Sequence, residues 1–139
     1  GDAARMPVAD GFFSKAALHC SFEHFEGDAD TRFIREAARI LKPGGRMCIL
    51  PLYLSSTYHI LTDLKVLDSV KGYPREDALV FHRANWHNRF GRQYDVAHLA
   101  QRVLANTDGL KVTAIRITNA KAIHPSCYLN FALLFEKEG

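Results

Sequence analysis

The first fifty residues alternate between two kinds of hydrophobic pattern. Ala16-Ala17-Leu18-His19-Cys20 is a short apolar run without polar alternation, which predicts a strand buried on both faces. Phe33, Ile34, Ala37, Ala38, Ile40 and Leu41 then fall on one face of a 3.6-residue period and predict a helix. Asp28 or Asp30 is placed to cap it, and Arg32 and Glu36 stand i,i+4 on its outer face. Pro43 cannot continue that helix and pushes Lys42 out of the α region, while the Gly44-Gly45 pair supplies a left-handed turn. Met47 to Leu50 form a second unalternating apolar run. Strand, helix, tight turn and strand make a βαβ unit with parallel strands.

The pattern weakens between Leu52 and Tyr94. Ile60, Leu61, Leu64, Leu67 and Val70 fit a helix that Gly72-Tyr73-Pro74 would end. The stretch "FHRANWHNRFGRQY" mixes aromatics, histidines and arginines without period, as a surface excursion or a pocket-covering insertion would. Order returns with a helix capped by Asp95, whose apolar residues are Val96, Leu99, Ala100, Val103 and Leu104. "LKVTAIRIT" predicts a strand, with a bulge where its apolar phase shifts between Ala114 and Ile115. "YLNFALLFEKE" predicts the last strand. The ten or so residues between those strands contain Pro125 and no helical pattern, too few for a parallel crossover, so the pair should be antiparallel. The architecture expected is α/β: a parallel βαβ unit, an excursion, a helix and a terminal antiparallel hairpin.

Composition narrows the function classes. The 139 residues suit one domain, and 47% hydrophobic with 24% charged residues is a globular composition. No apolar run reaches the roughly 18 residues of a membrane helix, so no membrane partner is expected. The net charge of +3 comes without a dense basic stripe, which gives no reason to expect nucleic acid. Cys20, Cys48 and Cys127 are far apart and form no CxxC pair, a pattern suited to a reducing, cytoplasmic setting and not to a thiolate metal site. His82 and His87 lie five apart without a third ligand at a recognisable spacing, so no metal is expected.

With these elements in place, "GDAARMPVADGFFSKAALHCSFEHF…FIREAARILKPGGRMCILPL" resembles the second half of class I S-adenosylmethionine-dependent methyltransferases. The resemblance rests on the Gly-Asp-Ala start, the Met6-Pro7-Val8 step, the Glu23-His24 pair, the Lys-Pro-Gly-Gly turn and the aromatic closing hairpin. It spans the chain apart from the excursion at 52–94. The family's acidic-residue-then-GxGxG loop does not occur, and the resemblance therefore implies the carboxy-terminal half of a Rossmann-like fold, residues 1–139 being a partial domain. It implies S-adenosylmethionine as cofactor and a small-molecule methyl acceptor for the intact parent, with this portion expected to be inactive alone. A nicotinamide-dependent dehydrogenase shares the α/β layout, but the hairpin and the turn count against it. A non-catalytic scaffold or binding domain is the alternative from another class.

The resemblance assigns Asp2 to the adenine amino group and the Ala3 amide to the ring. It places Cys20, Ser21 and Phe22, after the first strand's carboxyl end, along the methionine arm and transfer site. His24 could serve as general base, since imidazole titrates near neutrality; the plainer view is a half-buried helix-entry residue. Tyr53, Tyr58, Trp86, Arg89 and Tyr94 are assigned to the acceptor because the segment at 52–94, read as a substrate-side insertion, commonly shapes that pocket in the family. Lys42 to Arg46 only aim a strand. In the family's strand order, the strand at Ala16–Cys20 would lie beside a strand missing here, and an open edge of that kind predicts self-association.

Overall fold

The computed structural model describes residues 1–67 and 77–139. Its main sheet has four strands, β1 (Phe13–His19), β2 (Leu41–Leu50), β6 (Leu110–Arg116) and β7 (Phe131–Lys137), in the order β1-β2-β7-β6. β1 and β2 are parallel, as expected, and the helix α1 (Ala29–Ile40) joins them. β7 runs antiparallel to both β2 and β6, so the reversed strand sits inside the sheet with β6 outside it. The β6–β7 pairing is unbroken from Leu110↔Lys137 to Arg116↔Phe131, so the expected bulge at Ala114/Ile115 is absent. Ala114 and Ile115 are both exposed on this edge strand, so no core face demanded a phase correction. A one-turn helix, α4 (Ala120–Ile123), occupies the connection that had shown no helical pattern.

The helix α1 forms where its apolar stripe predicts. Phe33, Ile34, Ala37 and Ile40 are buried, and the first three join Met47, Ile49, Leu133 and Phe135 in one core. Neither proposed cap acts as one. Asp28 stands at the N-cap, but its carboxylate accepts from Arg32 Nε at 2.9 Å, and Asp30 is drawn into the interior. The expected Arg32–Glu36 pair is also replaced, because Glu36 binds Arg39 at 2.7 Å and accepts the Met6 amide at 2.7 Å. Those bonds, with Arg39 reaching Val8 O, Met6 O and Asp10, lash the first ten residues to α1.

At the Lys-Pro-Gly-Gly turn, pairing with β1 jumps from Phe13↔Leu41 to Lys15↔Arg46. Gly44 takes φ +72°, and a Cβ on Gly45 would lie 2.8 Å from the Lys42 carbonyl oxygen, so the chain passes too close to itself for a side chain. β1 is half-exposed along its length and not buried on both faces, because it is the sheet's outer strand.

The segment at 52–94 departs most from expectation. Ile60 and Leu61 belong to a strand, β3 (His59–Thr62), parallel to β4 (Leu79–His82) and antiparallel to β5 (Gly91–Gln93), in a second sheet of order β4-β3-β5. Among the described residues of the segment only α2 (Leu64–Leu67) is helical; Val70 and Gly72-Tyr73-Pro74 lie outside them. The helix α3 (Val96–Arg102) is capped by Asp95, which accepts the His98 amide at 2.8 Å. Val103 is buried, but Val96 is 82% exposed and Leu104 41%, so part of the predicted apolar stripe faces outward.

Candidate functional site

The carboxyl end of β1 turns sharply. Cys20 takes φ +50°, a region that a non-glycine residue rarely occupies, and its amide donates to Leu50 O at 3.1 Å. Ser21 Oγ donates back to His19 O at 2.9 Å, and a 3₁₀ turn over Phe22–His24 follows. This turn points Glu23 and His24 toward Tyr53, which follows β2, and toward the loop between β4 and β5. The residues enclose a cavity of about 210 Å³ whose walls include Cys20, Glu23, His24, Tyr53, Arg83 and Trp86.

The loop is pinned by Asp63, a buried carboxylate just after β3. Its Oδ2 accepts the His87 amide at 3.0 Å and its Oδ1 the Lys65 amide at 3.1 Å. These donors, His87 first, hold its carboxyl below the ordinary aspartate value. Two backbone bonds, Arg83 N to Thr62 O and Asp63 N to Asn88 O, both 2.9 Å, complete the attachment. The Cη2 edge of Trp86 abuts Gly91 of β5. A Cβ there would come within 2.3 Å of its Cη2 atom.

Glu23 is the unusual wall. Its side chain is 7% exposed, and its Oε2 has no hydrogen-bond partner among the described residues. Its Oε1 lies 3.6 Å from His24 Nε2. His24 Nδ1 is 2.5 Å from Phe90 O and must donate, since a carbonyl only accepts, so the neutral ring carries its basic lone pair on Nε2 beside the carboxylate. Tyr53 is pushed up to about 12, chiefly by burial and then by the Glu23 carboxylate, and stays a protonated phenol at neutral pH. Cys20 Sγ and Tyr128 Oη are 3.1 Å apart. The Arg83 guanidinium has no ion-pair or hydrogen-bond partner among the described residues.

Behind His24 lies a second, more open hollow of about 430 Å³, lined by Asp2, Ala3, Phe25 and Ala29 among others. Asp2 Oδ1 accepts the Ala4 amide at 2.9 Å and Oδ2 accepts Arg32 at 3.3 Å, and these bonds, the amide first, lower its carboxyl below the usual value. His24 lines both spaces.

The remaining residues singled out in the sequence go elsewhere. Phe22 is buried and stacks with Tyr94, ring centroids 6.1 Å apart. Tyr94 donates its hydroxyl to Asp30 at 2.7 Å inside the core, where burial raises it well above an ordinary tyrosine. Tyr58 is buried against the His98 ring at 3.9 Å. Arg89 grips the Glu26 carboxylate at 2.9 and 3.2 Å. His82 Nε2 stands 3.8 Å from Asp63, and no group of three or more metal-ligating side chains occurs among the described residues. In the sequence Glu23 stands out only as half of a motif, and Arg83 only as one letter of the aperiodic stretch that begins at Phe81. The signal for Glu23 was an acidic residue in an apolar turn; nothing in the sequence distinguished Arg83.

Residues 1–49 match the family model of the methyltransferase domain. No curated protein matches the chain. Among solved structures, an S-adenosylmethionine-dependent methyltransferase from Mesorhizobium loti aligns over 99% of this chain and 68% of its own, at 14% identity and TM-score 0.57. The Burkholderia thailandensis 1,6-didemethyltoxoflavin-N1-methyltransferase, solved with 1,6-didemethyltoxoflavin and S-adenosylhomocysteine, aligns over 99% and 48% at 16% identity and TM-score 0.52. The chain has part of a Rossmann-like methyltransferase fold. A [4+2]-cyclase also aligns, over 99% and 54% at 17% identity and TM-score 0.50, so the fold by itself does not fix the reaction. The chain spans about half to two thirds of the proteins it matches. As the resemblance implied, the α/β architecture is that of part of a Rossmann-like methyltransferase fold. No helix among the described residues is long and apolar enough to cross a membrane.

Proposed function

We propose that the protein of which this chain forms part transfers a methyl group from S-adenosylmethionine to a small-molecule acceptor. The observation that carries the reading is the position of His24, shared by the open hollow at Asp2 and Ala3 and by the polar cavity at Glu23. The cofactor's nucleoside end would lie over Asp2 and Ala3. The hollow fits it in kind: Asp2 is a carboxylate with lone pairs to spare for an adenine amino group. When bound, the cofactor supplies an electrophilic methyl group. Cys20 and Ser21 would border its methionine arm; Phe22 supports the turn from the core.

The acceptor would enter the cavity from the loop side, between Tyr53 and Trp86. Confinement there orients its nucleophilic atom, which supplies most of the rate advantage in this kind of displacement. His24 Nε2 is placed to take the proton the acceptor loses, with Glu23 stabilising the imidazolium. Tyr58, Arg89 and Tyr94 are held in other bonds, and the proposal gives them no acceptor contact. The 139 residues alone bind cofactor weakly, because the chain has no glycine-rich loop.

Calorimetric titration with S-adenosylhomocysteine tests this on the chain and on a longer product that includes the in-frame sequence upstream of Gly1. Weak binding by the first and clear binding by the second support the reading. Tight binding by the 139 residues would overturn the placement of the cofactor. We also propose that the chain, by itself, pairs with a second copy along β1. That strand is an outer one, and beside it runs an apolar groove of about 410 Å³ lined by Phe13, Ala16, Leu18, Phe33 and Met47. A clean monomer by light scattering at high concentration would count against it.

A further inference from the structure

We infer that the cavity at Glu23 takes a small amino-acid-like zwitterion, its amine donating to Glu23 Oε2 and its carboxylate meeting Arg83. This deepens the methyl-transfer reading, from which the ligand takes its role as acceptor.

The argument starts from the orphaned oxygen. A buried carboxylate oxygen without a donor is costly, and native structures keep few of them. A hydroxyl would satisfy the hydrogen bond alone. An ammonium satisfies it and also compensates a charge held out of water, where compensation matters most. The other walls agree. Trp86 and Tyr53 offer aromatic rings to a cation. Arg83, at the exposed rim, presents a guanidinium whose planar fork matches a carboxylate and which no described residue engages. Size agrees in scale: a cavity of about 210 Å³ suits a small ligand such as glycine, alanine or β-alanine.

Trp86 is the only tryptophan of the chain, so its fluorescence reports occupancy without cofactor or turnover. The chain is titrated with glycine, alanine and β-alanine, and with glycolate, acetate and ethylamine as probes lacking one feature. At least one amino acid should give a saturable change, with glycolate and acetate about tenfold weaker or worse. Glu23→Gln should weaken the amino acid about tenfold, and Arg83→Ala should weaken it several-fold while leaving ethylamine unchanged. Arg83 is exposed, so its variant keeps the test sound even if Glu23→Gln folds poorly. Glycolate binding as tightly as glycine, indifference to both substitutions, or no response to any amino acid would overturn the inference. Amino-acid binding without methyl transfer in the longer product would keep this assignment and remove the reaction. Transfer to a hydroxy acid would do the reverse.

Discussion

Two carboxylates buried in the same small molecule, Asp30 and Glu23, are treated in opposite ways. Asp30 is fully enclosed, and every lone pair has a donor. Its Oδ2 receives Tyr94 Oη at 2.7 Å, Arg92 at 2.7 Å and Arg102 Nε at 2.9 Å, while Oδ1 receives the Thr31 amide and Arg102. Arg92 goes on to the carbonyls of Phe25 and Gly27, and Arg102 also donates to Gly27 O. That hub ties α1 to β5 and α3. Glu23, seven residues earlier, faces a cavity with one oxygen unanswered. A charge satisfied on all sides holds elements together, whereas one left open on a cavity is available to a ligand.

Substitutions should separate the two. Asp30→Ala strands Arg92 and Arg102 without their anion, and urea denaturation should show a loss of about 3–5 kcal/mol. A loss below about 1 kcal/mol would erase the distinction. Gly91→Ala puts a methyl group into the Trp86 ring; it should cost about 1–3 kcal/mol and shift the tryptophan emission as the indole leaves its seat. An unchanged emission spectrum would mean that Gly91 does not set the cavity wall.

Acid should loosen the loop more gently. Asp63 is held below 3.8, so its contribution is present above that value and fades as pH falls through the lower folded value. Asp63→Asn should therefore flatten the decline of the thermal midpoint below about pH 4; parallel curves for the two proteins would disprove it. Glu23→Gln should change stability least, by under about 1 kcal/mol in either direction, since the oxygen it alters, Oε2, has no hydrogen-bond partner among the described residues. A loss as large as that of Asp30→Ala would make Glu23 a structural residue.

The same contrast explains what could be read in advance. The β1–α1–β2 unit was legible because its periodicities are local: an apolar stripe at helical spacing, then a proline and a glycine pair that only a turn accommodates. The antiparallel closing strands followed from a connection too short to cross over. In the segment at 52–94 the apolar spacing of Ile60, Leu61 and Leu64 suited a helix, yet pairing of β3 with β4 and β5 outweighed that local preference. Of the site, His24, Cys20, Tyr53 and Trp86 were picked out as residues that could do chemistry, and they line the cavity. Tyr58 and Tyr94 had the same surface credentials but are enclosed in the core.

Local pattern in the sequence determined the order of strand, helix and strand at the start, the helix capped by Asp95, the closing strands and the sharp junction at Lys-Pro-Gly-Gly, since helical and extended periods are written in neighbouring residues. Only the tertiary structure decided which buried charges are answered, because Asp30 meets Arg92 and Arg102 from more than sixty positions away, whereas Glu23 Oε2 has no hydrogen-bond partner among the described residues. Hydrogen-bond satisfaction is a property of the surroundings of an atom in space, and nothing in the amino-acid order alone records it.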